Sequence, residues 1–161
     1  MADHEALFLE IAAESIREAL LIWGKGFTDC STVTADSAMV VAHAVDLSVK
    51  SLARCAGEAP PRRHGHALGS VLHRLPLDPA TRTRFAWVVN HAATFRAGVG
   101  YVDTRAYEIH TKHTNPAFWH QFAADGEALT RYAQAVVAHV RDGVAPPEGW
   151  VVSVASPDAD Q

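Results

Sequence analysis

Cysteine is scarce: two residues, Cys30 and Cys55, in a chain of 161. Two thiols build no disulfide framework, and the reading is a cytoplasmic protein with reduced cysteines. Charged residues make up only 20% of the chain against 48% hydrophobic, a balance that excludes a disordered segment held open by charge. No surplus of positive charge exists; the formal net charge is −4 with histidines neutral. A global basic field for nucleic acid is therefore missing. Also missing is any apolar run near the roughly 20 residues that cross a bilayer, so no membrane partner is expected. The opening residues carry Asp3, Glu5 and Glu10 and lack the pattern of a signal peptide. Internal repeats and convincing alternating strands are absent too. The stretch Gly98–Val102 is too short to carry a sheet.

What is present is helical periodicity, and it predicts five helices. Phe8, Ile11, Ile16, Leu20 and Trp23 recur at helical spacing in a first helix over about 3–23, stopped by Gly24 and Gly26. A second, about 34–56, is apolar nearly all round through Val40, Val41, Ala44, Val45, Leu47, Val49 and Leu52. Such a helix is a buried one. Thr34, Asp36 or Ser37 caps its start; Gly57 and Pro60-Pro61 end it. A short third helix, about 65–75, aligns Leu68, Val71, Leu72 and Leu75 before Pro76.

The fourth and fifth helices carry the same start signal, a capping residue followed by proline: Asp78-Pro79 and Asn115-Pro116. The fourth runs to about Arg96. In the fifth, Phe118, Phe122, Leu129, Tyr132, Val136 and Val140 form the stripe, Gly126 marks a candidate bend, and Gly143 with Pro146-Pro147 closes it. The fold class is all-α, a five-helix up-and-down bundle over 1–145 with a tail over 146–161 that either docks by Trp150 or frays. The long connection Ala97–Thr114 is the exception to short loops, and a loop of that length is usually functional or hides a helical turn.

Residues Ala42-His-Ala-Val-Asp-Leu-Ser-Val-Lys-Ser-Leu-Ala53 resemble the second helix of the HEPN domain (higher eukaryotes and prokaryotes nucleotide-binding), with Lys50 at the family's lysine position. The turn Gly57-Glu-Ala-Pro-Pro61 and the stretch Gly65-His-Ala-Leu68 continue the resemblance, His66 matching the family histidine and Ala67 standing where aspartate is usual. The motif match covers about residues 40–75, and the five-helix plan fits about 3–142. The resemblance implies a helical bundle that forms homodimers. It also implies one of two roles. Many HEPN domains are metal-independent endoribonucleases of toxin–antitoxin and defence systems, using an Arg-x4–6-His motif brought together across the dimer. Others are degenerate accessory modules that bind a nucleotide, RNA or a protein partner, some beside a nucleotidyltransferase or an antitoxin.

Two places have the motif's spacing: Arg84-Phe-Ala-Trp-Val-Val-Asn-His91 and Arg105-Ala-Tyr-Glu-Ile-His110. Arginine can hold a phosphate through paired hydrogen bonds, and histidine can move the proton of a 2′-hydroxyl or of the leaving oxygen. Arg84 and His91 lie two turns apart on one helix face, with Asn90 as a polar helper. Spacing alone does not separate such a pair from ordinary surface residues in a chain this rich in arginine and histidine. The segment Phe95-Arg-Ala-Gly-Val-Gly-Tyr-Val-Asp103 resembles the family's arginine motif before a Tyr-x-x-Asp turn, and there the expected histidine is Gly100. That departure and the chain's acidity favour the degenerate binding module over the nuclease. Arg96, Tyr101, Arg105 and His110 are the candidate substrate-binding residues, supported by Tyr107 and Trp119 as stacking aromatics.

A third reading is a histidine-based metal site from His110, His113 and His120, with His43 as a fourth ligand. It lacks a carboxylate or cysteine at matching spacing, and no cofactor or metal is assigned. Arg62-Arg63-His64 is a compact basic patch that reads first as a solvated turn. Cys55 reads as a small core residue, and Trp23, Trp87 and Trp119 as core or dimer-interface aromatics.

Overall fold

The computed structural model describes residues 4, 6, 7, 10, 11, 31–58, 68–100 and 116–151, with side chains for all of these except 31–39, 95–100, 116, 117, 119 and 120. Among them are four helices: α1 (Ser31–Cys55), α2 (Leu68–Arg74), α3 (Pro79–Gly100) and α4 (Pro116–Asp142). The described residues contain no strand beyond an isolated antiparallel bridge between Leu77 and Trp150. The fold class is all-α. Of the expected first helix, residues 4, 6, 7, 10 and 11 are described and helical, and Ala6 packs on the core.

α1 is the central element, packed against α2, α3 and α4. Val41, Val45, Val49 and Leu52 are fully buried, as the all-round apolar pattern requires. Among its described side chains, the exposed ones, Val40, His43 and Arg54, fall on one narrow strip. The helix ends in a Schellman cap. Glu58 N–H reaches Ala53 O at 2.9 Å, Gly57 N–H reaches Arg54 O at 3.0 Å, and Gly57 sits at φ 80°.

α2 buries Leu68, Val71 and Leu72. The chain then turns through Leu75, Pro76 and Leu77, held by the Arg82 guanidinium, whose Nη2 donates to Leu75 O (3.1 Å) and Leu77 O (3.0 Å). Asp78 starts α3 as expected, its Oδ1 accepting from Thr81 N–H at 2.7 Å. Phe85, Val88, Val89 and Ala92 form the buried stripe of α3. The helix runs to Gly100 rather than Arg96, so 97–100 belong to α3 and not to the connection. Gly98 and Gly100 each cost up to about 1 kcal/mol there, but glycine keeps its N–H and does not break the hydrogen-bond ladder as proline does.

α4 runs unbroken through Gly126, which is buried. Phe122, Leu129, Ala133 and Val136 face the core. Gly143, at φ 71°, closes the helix with its N–H on His139 O at 3.0 Å. Beyond it the chain returns to the bundle: Trp150 is buried, and docking is the outcome for this part of the tail.

Candidate functional site

The candidate catalytic residues lie on α3, and their surroundings differ. Arg84 is exposed, and its guanidinium carbon stands 5.0 Å from the centre of the neighbouring Phe85 ring. Seven residues of helix put His91 about 10.5 Å further along the axis. His91 is half-buried among aromatic rings from two helices. Its ring meets Trp87 edge-on at 4.6 Å between centroids and Phe118 of α4 at 5.0 Å. Trp87 in turn contacts Phe118 at 5.5 Å and Phe122 at 6.5 Å, and the two phenylalanines stack. The packing follows from register: Trp87 and His91 are i, i+4 on α3, Phe118 and Phe122 are i, i+4 on α4, and the two pairs interlock.

Asn90 points elsewhere. One residue before His91 it lies about 100° around the helix, against α2; a methyl group built on Gly69 would stand 3.3 Å from Asn90 Oδ1. Arg84 and His91 thus share a face at two separated levels, and Asn90 does not join them. Arg96 lies on α3, but its side chain is outside the described residues. So are Tyr101, Arg105, Tyr107, His110 and His113, the patch Arg62-Arg63-His64, Cys30 and Trp23. Trp119 and His120 lie in the first turn of α4 with side chains not described, and His43 is exposed on α1. Among the described residues no three His, Cys, Asp or Glu side chains gather as metal ligands. Cys55 is half-buried and packs on the core.

Two polar groupings escaped the sequence reading. The first lies inside α1. Asp46 is fully buried, and Lys50 Nζ donates to its Oδ2 at 2.9 Å one turn on. The signal was there: an acid and a lysine at i, i+4 on a helix that is otherwise apolar nearly all round. Nearby, Ser48 Oγ stands 2.7 Å from Ala44 O and 3.1 Å from Thr130 Oγ1, with one proton to share, and Thr130 donates onward to Gly126 O at 2.8 Å. This joins α1 to α4 through two fully buried hydroxyls.

The second grouping lies where α3 begins. The Tyr132 ring of α4 meets Phe85 edge-on at 5.3 Å. Burial, and then the negative charge of Asp78, push its hydroxyl up to about 12, with Arg84 opposing. The Asp78 carboxyl is held below its ordinary value by hydrogen bonds from the Thr81 hydroxyl and N–H. Tyr132 Oη and Arg82 Nε are buried without a hydrogen-bond partner among the described residues. Tyr132 carried no signal beyond its place in the apolar stripe, because its contact with Phe85 joins residues 47 apart in sequence.

Chemically, the Trp87–His91–Phe118 group offers half-exposed ring surface with a cation, Arg84, on the same helix face. That combination suits a flat, anionic ligand such as a nucleotide base with its phosphate. No helix among the described residues is long and apolar enough to cross a membrane. No protein-family model matches the chain, and neither a curated protein nor a solved structure is significantly similar to it.

Proposed function

We propose that this chain is a non-catalytic HEPN-like module that binds a nucleotide or single-stranded RNA on the α3–α4 face, in an accessory or defence-related role. The observation that supports this reading is the seating of His91. A ring packed edge-on between Trp87 and Phe118 is built as part of a surface, and Arg84, about 10.5 Å away along the axis, leans on Phe85 rather than on a shared substrate position. Half-buried aromatics with an arginine one turn away, Arg84 being three residues before Trp87, give base stacking and a phosphate contact without requiring proton transfer. The resemblance of residues 40–75 to HEPN sequences, and Gly100 where the family histidine is expected, point the same way.

The second reading is the metal-independent endoribonuclease. It is favoured by one observation: Arg84 and His91 share a helix face, so a dimer could set the arginine of one copy beside the histidine of the other.

The deciding experiment incubates the purified chain, in EDTA, with folded and single-stranded RNAs, and titrates labelled oligonucleotides in parallel. The expected result is intact RNA and saturable binding that Arg84→Ala weakens about tenfold, in line with loss of a charge-assisted phosphate contact. Cleavage abolished by His91→Ala in a variant of matched stability would replace the binding reading with the nuclease. Absence of both cleavage and binding would leave a protein partner as the ligand of this module.

A further inference from the structure

Resting on the nucleotide-binding reading, we infer that the ligand of the α3–α4 face is a nucleoside monophosphate, one base with one phosphate, and not a triphosphate or a length of strand. The rings have room for one base. Trp87, His91 and Phe118 form one contiguous group, 4.6 Å and 5.0 Å between successive centroids, and all three are half-buried. Phe122 extends the group inward but is fully buried and adds no surface. Along the same face of α3 the next described side chains are Ala80 before Arg84 and Thr94 after His91, both exposed and neither aromatic nor charged. A bound strand stacks successive bases on successive rings; here a second base would meet a methyl or a hydroxyl.

The cation on this face suits one phosphate. Arg84 is exposed and takes part in none of the ion pairs found among the described residues. It lies about 4.5 Å before Trp87 along the axis, one turn away. One turn is the scale on which a ribose separates a base from its own phosphate. The neighbouring guanidinium of Arg82 is already engaged, its Nη2 donating to Leu75 O and Leu77 O. Arg96 stands twelve residues beyond Arg84, about 18 Å along the axis, out of reach of the same nucleotide.

Around Arg84 the sign of charge reverses. Toward the start of α3 stands Asp78, kept ionised by hydrogen bonds from the Thr81 hydroxyl and N–H. Asp78 and Arg84 act in opposite directions on the same Tyr132 hydroxyl, so carboxylate and guanidinium lie within electrostatic reach of one place. On α4, Asp125 follows Phe122 by three residues, on the helix face that carries Phe118 and Phe122, and accepts from Gln121 Nε2 at 2.6 Å. A second or third phosphate would leave the arginine and approach carboxylates, where like charges repel.

The test is calorimetric titration of the full chain, in EDTA, with adenine compounds as probes: adenosine, AMP, ATP and an oligoadenylate of about eight residues. AMP should bind saturably, at least tenfold tighter than adenosine, and ATP should bind no tighter than AMP. Log affinity against log salt should fall with a slope of about −0.7, one phosphate neutralised, for AMP and for the oligoadenylate alike. Arg84→Ala, an exposed substitution, should bring AMP down to the adenosine level. ATP at least tenfold tighter than AMP, or a slope that steepens with strand length, overturns the monophosphate and leaves the α3–α4 face a binder of triphosphates or strands. Equal affinity for adenosine and AMP overturns it too, since no phosphate is then read. No binding by any of the four probes, or AMP binding that Arg84→Ala does not touch, overturns both this inference and the nucleotide-binding reading.

Discussion

Lys50 illustrates how much a single residue depends on its partner. Its side chain is 9% exposed, and its ammonium is bonded to a carboxylate whose side chain is fully buried. Lys50→Met would take this partner from the buried Asp46 carboxyl, a change that costs about 3–5 kcal/mol. Asp46→Leu with Lys50→Met removes both charges, and urea unfolding should show the double variant recovering most of that loss. Equal destabilisation in the single and double variants would mean the pair is not energetically coupled. Tyr132 makes the opposite case, a polar atom with no compensation. Tyr132→Phe deletes a buried orphan hydroxyl, so stability at pH 7 should hold or rise by about 1 kcal/mol. The hydroxyl ionises at about 12 in the folded chain against 10.0 unfolded. The fold therefore holds the phenolic proton more tightly than the unfolded chain does. That contribution is complete below pH 10 and is lost as pH rises through about 12. Thermal melts from pH 9 to 12 should show a shallower alkaline decline in Tyr132→Phe; identical curves would place the titrating group elsewhere.

At the scale of elements, the helix ends carry more definition than the helix middles. α1 and α4 stop at glycines with positive φ, and α3 starts at a bonded cap. The Asp78 cap belongs to α3, but its residue is also the neighbour of the returning arm through Gly149 O. Asp78→Ala should therefore lower the unfolding midpoint at pH 7. The folded carboxyl titrates below its unfolded value of 3.8, so its contribution is present above that value and lost as pH falls through the lower folded one. The gap in urea midpoint between wild type and Asp78→Ala should close between pH 5 and pH 2. A gap that persists at the acid end would show that the backbone, not the charge, does the capping. The starts of α3 and α4 were legible because an N-cap followed by proline is a local signal. The far end of α3 was not, because glycine weakens a helix without forbidding it and neighbouring structure settles the boundary.

For the molecule as a whole, α1 is the axis on which the other helices are arranged, and its burial was written in its composition. The pattern of apolar residues, caps and stops determined an all-α chain, the approximate extents of α1 to α4, and most of the core, including Phe85, Val88, Phe122 and Leu129. These follow from local periodicity, which a linear sequence carries in full. Trp150 was legible only as a residue that docks or frays; its seat opposite Leu77 is a long-range contact. The candidate site was legible as residue types: Arg84 and His91 share a helix face by spacing alone. Tertiary structure decided the rest. It turned Asn90 toward α2, set His91 between Trp87 and Phe118, paired the two buried hydroxyls of α1 and α4, and brought Tyr132 beside Asp78. Each of these depends on how one helix is rotated and shifted against another. That rotation is fixed by the sum of many weak packing contacts across the core, which no single stretch of sequence contains.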